Sequence, residues 1–196
     1  MESRQYMFKW EKLGKIFDPK DHDGGSWMQE FAQSASVLVF DDHIRMYFCT
    51  RPAPTPDGQY MSYLSYIDLD RNNIRNIVNV CSEPILELGA LGTFDEFGTN
   101  PVSVIRAGDE IRVYYAGWTR CESVPFNGAI GMAVSRDNGN TFSRLGDGPV
   151  LSYSPEEPYL IGSPRITKFN GQWHLWYVAG KEWLKTEAGP EPVYKI

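Results

Sequence analysis

The 196-residue chain is poor in cysteine, with only Cys49, Cys81 and Cys121, and this odd count without short metal-ligand spacing excludes a disulfide framework and a conventional zinc site. A basic block is also missing. Nineteen Lys and Arg stand against 25 Asp and Glu, so the net charge of −6 offers no electrostatic footprint for nucleic acid and suits neutral or cationic ligands better. No stretch approaches the roughly 20 apolar residues of a membrane span. Residues 1–10 lack an apolar centre, so the expectation is a cytoplasmic protein with no membrane partner. Gly89-Ala90-Leu91-Gly92 is too short for a phosphate loop, and Asp21-His22-Asp23 has no second His cluster beside it. The latter reads as a solvated loop, and neither a metal nor a cofactor is expected.

What the chain does have is 14% aromatic residues, including six Trp and eleven Tyr, together with 18 Gly and 13 Pro. That mixture favours many short strands joined by tight turns, and hence an all-β fold. A hairpin recurs three times, at intervals of about 65 residues counted from Ala35, Pro101 and Pro164. The copies are Ser34–Phe40 with Ile44–Cys49, Asn100–Ile105 with Glu110–Tyr115, and Ser163–Phe169 with Gln172–Tyr177. Each surrounds a turn of Asp, Asn or Gly. Third and fourth strands are predicted at Tyr60–Ile67 and Ile74–Leu88, then at Ala129–Ser135 and Thr141–Leu151. A four-stranded unit repeating in this way is the signature of a β-propeller.

About two and a half blades are therefore expected in a single partial domain. Residues 1–17 would supply the outer strand of a preceding blade through Phe8–Phe17, followed by blades over 18–88 and 89–151. An incomplete blade over 152–196 would have a third strand just starting at Val193. Open blade edges are a liability, which predicts either a truncated part of a longer protein or a homo-oligomer joined through those edges.

Strand direction separates two faces. One has short turns and reads as structural. On the other, long loops (18–33, 50–59, 88–99, 117–127, 151–162 and 180–192) bring Trp, Tyr, Arg and carboxylates to the rim, and function concentrates on such loops. Glu30 and Glu96 each precede their blade's anchor residue by five positions, and Glu157 lies in the corresponding loop of the third unit. Arg51, Arg120 and Lys181 follow the second strands onto the same face, giving an expected ring of alternating acids and bases. Cleaving a glycosidic bond takes one carboxyl to protonate the leaving oxygen and another to activate water or attack the anomeric carbon. Glu30, Glu96 and Glu157 are thus the catalytic candidates. Trp27, Gln33, Arg51, Asp95, Trp118, Arg120 and Lys181 are the candidate substrate-binding residues for a carbohydrate or glycoside. Tyr159 and Trp183 offer further flat rings for sugars, whereas Trp10, Trp173 and Trp176 read as core.

The x-Pro-x-Val strands followed by a Gly turn and an aromatic strand resemble five-bladed β-propeller glycosidases, in the broad group of glycoside hydrolase family 43 and the related family 130 phosphorylases. Ser135–Phe142 shares this resemblance, and the stretches Trp27–Ser34 and Gly92–Thr99 look most like bacterial glycosylase-like proteins of that group. The resemblance implies a five-bladed ring of which this chain is a part, and a glycosidase-type activity. Family 43 enzymes place an Asp directly before the anchoring Pro, where this chain has Ser34, Asn100 and Ser163, so the roles given to Glu30, Glu96 and Glu157 rest on loop position. Two alternatives stay open: a non-catalytic carbohydrate-binding propeller, and a phosphorylase in which Arg51, Arg120 or Lys181 holds phosphate. Ser135–Phe142 also matches the Asp-box turn of sialidases, read here as a structural turn on the face away from the chemistry.

Overall fold

A computed structural model describes residues 9–196. Among the described residues, eleven strands run in chain order: β1 (Glu30–Val39), β2 (His43–Arg51), β3 (Tyr63–Asp70), β4 (Ile77–Val80), β5 (Gly98–Ala107), β6 (Glu110–Arg120), β7 (Phe126–Ser135), β8 (Ser143–Arg144), β9 (Ile161–Phe169), β10 (Gln172–Thr186) and β11 (Gly189–Lys195). They form three antiparallel meanders, β1 to β4, β5 to β8 and β9 to β11. The fold among the described residues is all-β, apart from one 3-10 turn at Pro19–Asp21.

Alternation along the strands explains the stacking of sheets. In β2 and β3, Tyr47, Cys49, Leu64 and Tyr66 point towards the second sheet and meet Val102, Val104, Val113 and Tyr115 in one buried cluster. Phe48, Ile67 and Leu69 point the other way and are covered by Met28, Ile16 and Phe17. Both faces of the first sheet are therefore buried near its centre, which is why β3 reads as a nearly continuous buried run. Serines link the innermost strands, because Ser36 Oγ accepts from the Val104 N–H at 2.9 Å and Ser103 Oγ accepts from the Ile166 N–H at 3.1 Å.

The Ser135–Phe142 turn forms on the side expected and pins the first two sheets together. Asp137 Oδ1 accepts from the backbone of Asn140 and Thr141 at 3.1 and 3.0 Å, and Ser135 Oγ accepts from Gly139 N–H at 2.8 Å. From the first sheet, Arg45 reaches Asn140 Oδ1 at 2.8 Å while holding the buried Asp68 at 2.7 Å, and Tyr47 donates to the Gly139 carbonyl.

Several expectations need correction. The outer strand at Phe8–Phe17 is absent over the described part, residues 9–17, and residues 1–8 lie outside the described residues. This segment has no ladder partner among the described residues; it packs Ile16 and Phe17 on the first sheet, and Arg75 donates to the Leu13 carbonyl. The loop expected at 180–192 is largely strand. β10 continues to Thr186 and turns directly into β11, which begins at Gly189, with Thr186 Oγ1 donating to the Gly189 carbonyl at 2.8 Å. The tryptophans read as core are exposed, Trp10 by 89%, Trp173 by 45% and Trp176 by 58%. Trp176 lies on the face of β9 and β10 that no further sheet covers among the described residues, whereas Trp173 lies on the opposite face, beside the hairpin turn at 170–171.

Candidate functional site

A cavity of about 520 Å³ opens where the starts of the innermost strands and the ends of the second strands converge. Arg51 from the end of β2, Gln59 and Tyr60 from the β2–β3 loop, Asn100 of β5, Trp118 of β6, Phe126 of β7, Ile161 and Ser163 of β9, and Tyr194 of β11 line it. This is the long-loop face. Of the residues singled out from sequence, the structure brings Arg51 and Trp118 into the wall, with Arg120 just behind it.

Local geometry fixes each of these groups. Trp118 Nε1 donates to Ser62 Oγ at 2.9 Å and its ring stands 6.0 Å from that of Phe97. Below it the first two sheets pinch together, Thr99 N–H donating to the Ser62 carbonyl at 3.2 Å and Ser62 N–H to the Phe97 carbonyl at 3.1 Å. That approach requires Gly98, since a Cβ there would lie 2.6 Å from the Ser62 carbonyl oxygen. Arg51 lies against the neighbouring rings of Phe31 and Tyr60, at 5.0 and 5.1 Å, and Arg120 lies 4.2 Å from the centre of Phe97 while donating to the Tyr60 carbonyl at 3.0 Å. The first strands are bulged at the rim: Phe31, Ser34 and Ser163 have φ of 62°, 57° and 50°. Left-handed backbone is costly for an aromatic residue and persists where surrounding contacts enforce it.

The carboxylates do not form the expected ring. Glu30 comes nearest, its Oε2 accepting from the hydroxyl of the cavity-lining Tyr60 at 3.3 Å, with Lys20 at 3.8 Å. Glu96 instead caps its own loop, accepting from the Gly92 N–H at 2.9 Å. Glu157 belongs to a separate pocket of about 230 Å³, where it accepts from Tyr177 at 2.9 Å and pairs with Lys195 at 3.3 Å. Asp95 is fully buried, so it is not a rim residue. It accepts from Arg144 at 2.8 Å, Tyr115 at 2.9 Å and Thr93 at 3.1 Å. Burial first, and the Asp95 charge second, push the Tyr115 hydroxyl far above its ordinary range, which keeps it a donor.

Other candidates also serve the scaffold. Trp27 donates to the Ser82 carbonyl at 3.2 Å and meets the edge of Tyr63, and Lys181 is exposed at a β10 bulge outside the cavity wall. Trp183 packs against Phe126, while Tyr159 is half-exposed. Gln33 touches the site indirectly, accepting from Asn100 Nδ2 at 3.3 Å. In the Asp21-His22-Asp23 stretch, Asp21 faces Lys15 at 3.5 Å and His22 stacks on Phe17. Sequence reasoning passed over Tyr60, Asn100 and Phe126; the available signal was their position beside the ends of the hairpin strands.

A scan against protein-family models finds no match. Two proteins of Mycobacterium tuberculosis, from different strains and both named as uncharacterized, are 32% identical over 179 residues, 89% of this chain. The chain spans 56% of the length of these relatives. Among solved structures, a protein named glycoside hydrolase superposes with a TM-score of 0.65 at 14% identity, over 94% of this chain and 57% of that one. The sucrose-6-phosphate hydrolase from Lactobacillus gasseri gives 0.63 at 15% identity, over 93% and 38%. A structure from the GH130 family of mannoside phosphorylases gives 0.56 at 12% identity, over 85% and 50%. These likenesses show the fold alone, an all-β propeller-like architecture.

Proposed function

We propose that the cavity walled by Trp118, Tyr60, Phe126 and Asn100 binds a carbohydrate or glycoside, on the substrate face of a glycosidase-type propeller. The observation that carries this is the cavity itself: flat rings beside amide and guanidinium donors, on the loop face of three stacked sheets. Rings offer apolar surface to sugar faces, and polar groups fix their hydroxyls. Glu30 is the carboxylate for acid/base work at the glycosidic oxygen, because Tyr60 connects it to the cavity. The sheets are three blades of a five-bladed ring. The exposed Trp176 supports a neighbouring blade or second copy against the outward face of β9 and β10, as does the 57% coverage of the glycoside hydrolase neighbour.

A glycan array with wild type, Trp118→Ala and Glu30→Gln tests the reading. Binding should weaken on removing Trp118 by about tenfold, the worth of one aromatic platform, and turnover of a bound glycoside should stop in Glu30→Gln. No glycan binding, or binding indifferent to Trp118, overturns it. Replacing water by phosphate in the turnover assay separates hydrolysis from phosphorolysis. A second reading, sugar binding without cleavage, is favoured by the commitment of Glu96 and Glu157 elsewhere. It predicts glycan binding with no turnover, unchanged by Glu30→Gln.

A further inference from the structure

The cavity rim carries cations without their anions. Arg51 lines the cavity and Arg120 adjoins it through the Tyr60 carbonyl. Neither guanidinium has a carboxylate at ion-pair distance among the described residues. Glu30 is turned to Tyr60 and Lys20, and the exposed Asp57, the acid on the loop near Arg120, accepts from Thr55 at 2.6 Å. The Nε atoms of both arginines are buried and unpaired, and so is Asn100 Oδ1 in the cavity wall. Arginine stacked on aromatic rings keeps its fork oriented while leaving the N–H groups free, and that fork matches planar or tetrahedral oxyanions. Phe31, one of the rings holding Arg51, is kept in a left-handed conformation at the β1 bulge, so part of the fold's strain serves to place this cation.

We propose that the carbohydrate taken by this cavity is an acidic one, carrying a carboxylate or phosphate ester that Arg51 and Arg120 receive. This rests on the reading of the cavity as a carbohydrate site, and it reverses what the net charge of −6 suggests. The whole-molecule charge governs long-range steering, whereas the unpaired guanidiniums govern what can be desolvated in the cavity. An uncharged sugar would leave Arg51 in the wall, with Arg120 beside it, without compensation.

The experiment is an array of matched glycan pairs, each uronate glycan beside its carboxyl-reduced counterpart and each phosphorylated glycan beside its dephosphorylated one. The acidic member should bind about tenfold or more tightly, the worth of one charge-assisted bidentate contact. Whichever set of pairs discriminates identifies the oxyanion. The preference should vanish in Arg51→Gln, shrink in Arg120→Gln and partly survive in Arg51→Lys, with unfolding midpoints verifying that each variant is folded. Equal binding of both members, or equal loss of both in Arg51→Gln, overturns the proposal and leaves the carbohydrate reading standing. No binding of any glycan overturns the two together. Inorganic phosphate displacing acidic and neutral members alike would assign the arginines to a separate anion and also refute the proposal.

Discussion

Removing Arg144 tests whether Asp95 belongs to the scaffold or to the ligand site. Asp95 has no solvent exposure, and its carboxylate is compensated by the Arg144 guanidinium at 2.8 Å with help from Tyr115 and Thr93. The Arg144→Met variant keeps most of the side chain's bulk and leaves a buried carboxylate without its cation, a defect that costs about 3–5 kcal/mol. Arg144 is itself only 16% exposed, so little water reaches the pair to soften the loss. At about 2–4 °C per kcal/mol for a chain of this size, the melting temperature should fall by roughly 6–20 °C. Asp95→Asn preserves the shape and should cost about 1–3 kcal/mol, since Tyr115 and Thr93 can still hydrogen-bond the amide. The double variant should be less destabilised than the sum by at least about 1 kcal/mol, because each partner's loss is the other's cost. Urea unfolding of the four proteins measures this, with glycan binding read in parallel on the folded variants. An unchanged midpoint in Arg144→Met, or Asp95→Asn losing ligand while keeping full stability, would refute the scaffold assignment.

The inter-sheet turn gives a second test: Asn140→Ala removes the acceptor that Arg45 reaches across the first two sheets and should lower stability by about 1–3 kcal/mol, measured by denaturant midpoint, with no change refuting the clamp. Burial opposes ionisation of Asp137, but hydrogen bonds from Ser135, Thr141 and Asn140 outweigh it and hold its carboxyl below the ordinary 3.8. The charged form is favoured by folding, so this contribution is fully present above pH 3.8 and is lost as pH falls through the lower folded value. The stability gap between wild type and Asp137→Asn should accordingly be flat near neutrality and close in acid; a gap that widens on acidification would reverse the sign. Cys49 and Cys81 are buried, with burial pushing both thiols up, while Cys121 is exposed. A thiol reagent should titrate one cysteine in the native protein and three after unfolding, and rapid native labelling of Cys49 would contradict the packing. Gly98→Ala drives a Cβ onto the Ser62 backbone and should cost about 1–3 kcal/mol with loss of Trp118 ordering, visible as a shifted tryptophan emission.

The architecture was legible because it rests on period and alternation, which are properties of the chain taken in order. Ser34–Phe40 and Asn100–Ile105 announce innermost strands by their apolar alternation, and the turns at 41–43 and 170–171 announce their hairpins. The direction of those strands also singled out the long-loop face, and there Arg51 and Trp118 line a cavity. What the sequence could not convey is where each acid spends its charge. Asp95 and Glu96 are adjacent in the turn before β5, yet one is buried against Arg144, 49 residues away, and the other folds back onto Gly92. Glu157 looks equivalent to Glu30 by loop position, but Lys195 on β11 captures it; only the end of that strand, from Val193, was expected, because Gly189-Pro190 and Pro192 read as loop. Chain position specifies which face a side chain can reach; the competing partners delivered by other strands decide whether it stays free. The same argument explains why the arginines emerged as the unpaired charges at the rim, since the acids expected to neutralise them are held by Tyr60, Gly92, Tyr177 and Arg144.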